Sequence, residues 1–298
     1  MYDLRCTLLL LLSWISAAVP CSAQITYPFI LDRDNAIQNC PTCGAGLTHW
    51  YKVLPYFSGG PYEPNLAGLG QMNLTNMATG SGWSSSTRPG SYGQIQFDGT
   101  NDYLRGTTNL GFTAESQPYT LCAWVKPTSV SSGQQVLFST NDGNSPFTDI
   151  QFYWSNASNP MFRSCDSYGY CQEVYASTSP VAGIWQHWCA VRAGAGIAAM
   201  SLWLNGLQVP TSAGNNQAFY AGYDNVPWTI GAVCCAAPGS YFQGSLDDMM
   251  IWQRAMSATE IWQLYTGTAV ARPLEPDAVP LASSAPPTTN PRRRVTVE

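Results

Sequence analysis

Charge is what this 298-residue chain has least of: Asp, Glu, Lys and Arg together make up 10% of it. The basic residues are scattered apart from Arg292, Arg293 and Arg294, so there is no stripe to neutralise a phosphate backbone, and nucleic acid is not expected as a partner. Histidine is nearly absent, with only His49 and His187, and Cys40-Pro-Thr-Cys43 has no second Cys-x-x-Cys to complete a zinc site. No Gly-x-Ser-x-Gly, His-Glu-x-x-His or phosphate-cradling loop is present. No apolar run is long enough to cross a bilayer, so no membrane insertion is expected once the leader is removed. A repeat of fixed period is also missing, which argues against a propeller or solenoid.

What is abundant is Gly, Ser, Thr, Asn, Tyr and Trp, the composition of a β-rich extracellular protein. Residues 1–23 read as an export signal, with Arg5, an apolar stretch over 7–19, and Cys21-Ser22-Ala23 as the small residues of a cleavage site. About 275 residues then remain, enough for one large β domain. Eight cysteines remain with them: Cys40, Cys43, Cys122, Cys165, Cys171, Cys189, Cys234 and Cys235. An even number in an exported chain predicts disulfides, but eight cysteines allow on the order of a hundred pairings, so spacing alone does not choose among them.

Residues 24–46 form a cysteine-containing leader without periodicity, and the main domain is expected over 47–267. After Gly267 the chain turns Pro-, Ala-, Ser- and Thr-rich, and 268–298 is expected to be disordered. Strand signals become regular from Tyr92. In residues 119–126, Tyr119, Leu121, Ala123 and Val125 share one face while Cys122 and Trp124 share the other, and Pro127 closes the strand. Residues 135–139, 149–154, 185–192 and 200–204 read as strands, with Asn205-Gly206 as a tight turn. Cys165 to Cys171 reads as a hairpin tip closed by its own bridge.

Everything converges on residues 244–265. Leu246, Met250 and Trp252 fall on one side of an extended segment, and Ser257-x-x-Glu260 is then a capping box. Ile261, Leu264 and Tyr265 form one face of a short helix, stopped by Gly267. Trp124, Trp203 and Trp252 are expected in the core. A dozen short strands and one terminal helix predict an all-β, two-sheet antiparallel sandwich.

Phe97-Asp-Gly-Thr-Asn-Asp-Tyr-Leu104, Tyr119-Thr-Leu-Cys-Ala-Trp-Val-Lys-Pro127, Trp185-Gln-His-Trp-Cys-Ala-Val-Arg192, Leu202-Trp-Leu-Asn-Gly206, Trp228-Thr-Ile-Gly231 and Gly244-Ser-Leu-Asp-Asp-Met-Met-Ile-Trp-Gln-Arg254 come in an order that resembles the laminin-G-like jelly-roll domains. These belong to the concanavalin A-like lectin/glucanase superfamily, with pentraxins as relatives. The resemblance implies a jelly roll with one concave sheet and ligand loops along a rim. Pentraxins bridge the strands matching 119–126 and 185–192, which implies a Cys122–Cys189 disulfide. Cys165–Cys171 is the second bridge expected. Cys234 and Cys235, being adjacent, are expected to take separate partners, with Cys40 and Cys43 the ones available.

Where pentraxins carry calcium ligands, this chain has Ala232-Val-Cys-Cys-Ala-Ala237, without a carboxylate. Asp98, Asn101, Asp102, Asp247 and Asp248 offer oxygen ligands, but they read better as turn residues and strand-end acceptors, so calcium is not predicted and no cofactor is expected. The superfamily's glucanases use Glu-x-Asp-x-Glu along one strand. Here glutamate occurs only at 63, 115, 173, 260, 275 and 298, and no such run exists, so no catalytic residue and no enzyme activity are expected. His49 and His187 read as packing residues.

What remains is recognition by rim loops, where aromatic faces stack on sugar rings. By loop position the candidates are Trp83, Tyr168, Tyr170, Tyr220, Tyr223 and Tyr241. Asn73-Leu-Thr75 and Asn156-Ala-Ser158 are glycosylation acceptors where the source cell has that machinery. The expected function is a secreted, non-catalytic module that binds a glycan or glycosylated surface. The competing reading is a structural or adhesive protein that decorates a cell or virion surface through protein contacts.

Overall fold

Strands form wherever aromatic and β-branched residues alternate with polar ones, and turns form where glycine, asparagine or aspartate supply a positive φ. The computed structural model describes residues 40, 42–51, 62–64, 67, 71–75, 82–88, 91, 93–106, 110–112, 116–131, 133–140, 150–154, 159–219, 228–233 and 239–267; for 62–64, 71–75 and Trp83 only the backbone is described. The expected signal peptide, the expected tail, Tyr220, Tyr223, Cys234, Cys235 and Asn156 lie outside these residues.

Two antiparallel sheets face one another. Sheet A runs β14 (Leu207–Gln208), β13 (Met200–Leu204), β12 (Gln186–Arg192), β7 (Tyr119–Pro127), β17 (Gln243–Trp252), β5 (Gly93–Asp98) and β4 (Gly82–Ser85). The far half of β17 is paired by β1 (Leu47–Tyr51). Sheet B runs β15 (Thr211–Asn216), β11 (Cys171–Ala176), β10 (Pro160–Cys165), β9 (Ile150–Trp154), β8 (Gln135–Ser139), β16 (Thr229–Ile230), β6 (Tyr103–Gly106), β3 (Gln71–Thr75) and β2 (Tyr62–Pro64).

The main core lies between the sheets. Phe152, Trp154, Phe162 and Ile230 of sheet B meet Leu121, Val125, Trp188 and Leu202 of sheet A there. Sheet A also buries its outer face, beneath the helix Ala258–Thr266 and the turn at 42–46. Trp252, Met250, Trp203, Met256, Ile261 and Leu264 form this second core together with Cys122, Cys189, Cys40 and Cys43. The capping box is in place, since Ser257 Oγ accepts from the Glu260 amide and Glu260 Oε2 accepts from the Ser257 amide at 2.8 Å. Gly267 ends the helix at φ 61°, as the motif predicts.

Cys122 is bonded to Cys189, its direct cross-strand partner, and Cys165 to Cys171. Cys40 and Cys43 are bonded to each other. That corrects the expectation of long-range partners for this pair: a four-residue turn, closed by Cys43 N donating to Cys40 O, already brings the two sulfurs together.

The closing strand also differs from its simple alternation. Its register against β7 shifts between Asp247 and Met250, and Asp248 has φ 45°. This bulge reverses the facing of the strand. Leu246 therefore turns into the main core with Met249 and Ile251, while Met250 and Trp252 turn to the helix side. A small apolar cavity of about 30 Å³ remains beside the bulge, lined in part by Leu246, Met249, Phe138 and Phe152. Trp124 is half-buried rather than a core residue, because it falls on the outer face of sheet A; there its ring lies 4.7 Å beneath the Arg88 guanidinium.

Candidate functional site

The outer face of sheet B carries an ordered set of polar groups. With Phe162, Phe152, Leu104 and Ile230 turned inward, Glu173, Arg163, Gln151, Ser139, Thr229 and Arg105 lie opposite one another on successive strands. A neighbouring row holds Tyr175, Met161, Tyr153 and Val136, which pack together. Arg163 Nε lies 3.5 Å from Glu173 Oε1, and the Tyr175 hydroxyl donates to Glu173 Oε2 at 3.5 Å. Burial, with the Glu173 charge second, raises the Tyr175 phenol above its ordinary value. Arg105 is exposed at the far end of the polar row. None of these residues was singled out by sequence. Their signal is the polar alternation of β10 and β11, but alternation identifies a solvent face without saying which strands share it.

At one end of this face stands the β10–β11 hairpin tip. Asp166 Oδ1 accepts from the amides of both Tyr168 and Tyr170 at 2.9 Å, and Gly169 takes φ 84°. The Cys165–Cys171 bridge closes the base, and Arg163 places Nε 3.0 Å from one sulfur and Nη2 3.2 Å from the other. On this braced loop Tyr168 is 65% exposed and Tyr170 37%. Tyr241 sits at the opposite end of the sandwich, just before β17, half-buried, its phenol raised by burial and then by Tyr103. Trp83 falls in β4, at the lateral edge of sheet A. Tyr168 and Tyr170 are thus brought together, while Tyr241 and Trp83 belong to other parts of the surface.

A second cluster lies on the outer side of sheet A, where β1 and β5 leave a gap along β17. Arg88 and Ser91 enter this gap. Arg88 Nη2 donates to Asp247 Oδ2 at 2.7 Å and to Asp248 Oδ2 at 2.8 Å, and all three residues are buried. Ser91 Oγ donates to Asp247, and Trp50 Nε1 to Asp248 Oδ1 at 2.9 Å. Two carboxylates share one guanidinium away from water. Burial, and then the Asp248 charge, raise the Asp247 carboxyl to about 7 despite Arg88. His187 packs on Trp124 at 5.2 Å; burial, then the Arg88 charge, lower it to about 3, so it stays neutral. Asp247 and Asp248 are therefore interior bulge residues rather than the strand-end acceptors expected. A carboxylate pair for glycoside hydrolysis must face a cleft, and this pair does not.

The turn carboxylates serve their own backbone. Asp98 Oδ1 accepts from Thr100 N at 2.7 Å, and Asp102 Oδ2 from Asp98 N at 2.7 Å. Among the described residues the two groupings of metal-ligating side chains are Cys122–His187–Cys189 and Cys40–Cys43–Glu260. In each the two sulfurs are already joined in a disulfide, which leaves no thiolate to coordinate.

A family model described as the concanavalin A-like lectin/glucanases superfamily, of the laminin-G type, matches residues 98–262. Among solved structures, the binding domain of Paraclostridial Mosquitocidal Protein 1 is 15% identical with a TM-score of 0.53, over 74% of this chain and 52% of that one. The ligand-binding domain of botulinum neurotoxin serotype D, solved in complex with N-acetylneuraminic acid, is 12% identical with a TM-score of 0.53, over 77% of this chain and 52% of that one. A mutant of Trypanosoma rangeli sialidase displaying trans-sialidase activity is 14% identical with a TM-score of 0.51, over 76% of this chain and 33% of that one. The chain spans about half the length of the two binding domains and a third of the sialidase. At these identities the likeness is one of fold. No curated protein matches by sequence.

Proposed function

The chain belongs to the laminin-G-like group of the concanavalin A-like lectin/glucanase superfamily, and from that premise we propose that it is a secreted, non-catalytic module that binds a glycan or glycosylated surface. The observation that carries this reading is the hairpin tip, where a disulfide and two bonds to Asp166 hold Tyr168 and Tyr170 exposed. Rigid aromatic faces lose little conformational entropy on stacking against a sugar ring. Arg163, half-buried at the base of the tip, is the member of the polar row placed to meet a sugar hydroxyl, while Glu173 and Gln151 beside it are buried. Two findings support a binding role over a hydrolytic one: the interior position of the Asp247–Asp248 pair, and the binding-domain character of the mosquitocidal and neurotoxin relatives.

A glycan array with the mature chain tests the reading. Sugar-competable binding is expected, and replacing Tyr168 and Tyr170 by Ala should weaken it about tenfold or more. Silence across the array, or binding indifferent to both substitutions, would remove the tip from the function. Release of sugar from a labelled oligosaccharide would overturn the non-catalytic half.

A further inference from the structure

Sheet B ends in an edge of an unusual kind. All six residues of β15, Thr-Ser-Ala-Gly-Asn-Asn, are exposed. Among the described residues the strand pairs with β11 alone. Long open edges are normally blunted by lysine, proline or an inward charge, because their free amides and carbonyls template further pairing. β15 has no lysine, proline or charge within it; a bulge between Ala213 and Asn216 offsets its register against β11 and commits the Asn215 amide to Glu173 Oε2, so the regular part of the edge is 211–213. Among the described residues the other edge strands have two residues in β14, three in β2, four in β4 and five in β1.

The flanks of the edge are apolar. β14 lies on the same lateral side, because β13, its neighbour, stacks over β10 and β11, and it carries Leu207 at 48% exposure. Val181, also 48% exposed, belongs to the β11–β12 loop, whose first residue Ser177 donates its amide to Pro210 O at the start of β15.

We propose that β15 pairs antiparallel with β15 of a second copy, making a two-fold dimer with one continuous outer sheet. A second copy is the occupant this strip fits. In a chain of net charge −5 the strip itself carries no charge, so it neither repels its own image nor attracts a basic partner. Its side chains are small and polar, so two strands approach without clash, and an antiparallel strand pair closes on a two-fold axis. The contact would be one strand with Leu207 and Val181 at its flanks, at the low end of specific interfaces, which fits a dimer of modest affinity. Antiparallel pairing would set the second copy's Val181 loop beside the Tyr168–Tyr170 tip of the first. Both outer faces of sheet B would then point the same way, which favours multivalent attachment to a surface.

Light scattering and sedimentation of the mature chain, without sugar, test the pairing, so its outcome is independent of glycan binding. A mass that rises with concentration towards twice the monomer is expected. Ser212→Lys, an exposed change on the edge, should weaken association about tenfold or more while leaving the melting curve in place. Leu207→Ser should weaken it to a smaller degree. A monomer up to high micromolar concentration overturns the proposal. So does a dimer that Ser212→Lys and Leu207→Ser both leave intact.

Discussion

The two outer faces of this sandwich are built on opposite principles. Outside sheet A, the helix, the 42–46 turn and Arg88 cover the strands, and the layer is held by two disulfides and a buried Asp–Arg–Asp cluster. Outside sheet B, polar and aromatic rows run across the strands, the braced tip exposes Tyr168 and Tyr170, and β15 leaves an edge open. The first arrangement commits its buried Arg88, Asp247 and Asp248 to each other. The second leaves aromatic rings exposed at a braced tip, which is a requirement of binding by stacking. Stability and recognition are thereby assigned to different sheets, and substitutions should separate accordingly.

The largest effect should come from Arg88→Met. It strands Asp247 and Asp248 without a cation, and removing one partner of a buried ion pair costs about 3–5 kcal/mol. Denaturant unfolding measures this; a loss below about 1 kcal/mol would place the cluster in contact with water. Next comes the double replacement of Cys122 and Cys189 by Ala, expected to cost about 2–4 kcal/mol through release of the denatured chain. The same experiment on Cys165 and Cys171 should cost less, because that bridge closes a much shorter loop, and should act mainly on glycan binding.

A smaller, signed effect is expected with pH. Asp247 is raised from 3.8 to about 7 by burial, so its contribution is fully present below about pH 4 and is lost as pH rises through 7. His187 and His49 act the other way. Burial lowers them from 6.5 to about 3 and about 4, so they cost stability as pH falls below 6.5. Asp247→Asn removes the compensating carboxyl. Its urea midpoint should therefore fall more steeply between pH 7 and 4 than that of the unaltered chain, and parallel profiles would show that Asp247 is ionised throughout. Least of all, Tyr168→Ala with Tyr170→Ala should change stability by less than about 0.5 kcal/mol while reducing sugar binding. Equal losses in both measurements would mean that the tip is structural.

Much of the fold was legible from local pattern. Ser257 and Glu260 predict the helix start because capping is settled within four residues. The alternation of Tyr119, Leu121 and Val125 against Cys122 identifies the two faces of β7. The break comes where a neighbour decides. Nothing local distinguishes Asp247-Asp248 as a bulge. The bulge arises where β5 gives way to β1 and Arg88, some 160 positions away, enters the gap. β15 escaped notice for the opposite reason: Thr-Ser-Ala-Gly-Asn-Asn has no hydrophobic period, and it is a strand because β11 lends it a partner.

By itself, then, the order of residues determined the sandwich, its capped closing helix and the Cys165–Cys171 bridge, because alternation, capping and a short hairpin are local chemistry; the Cys122–Cys189 bridge was implied by the family resemblance, and the Cys40–Cys43 bridge emerged only in the fold. Only the folded chain decided which candidates share a surface, which carboxylates are interior and which edge stays open. Those depend on contacts between segments far apart in the chain, and no short stretch encodes its distant neighbour.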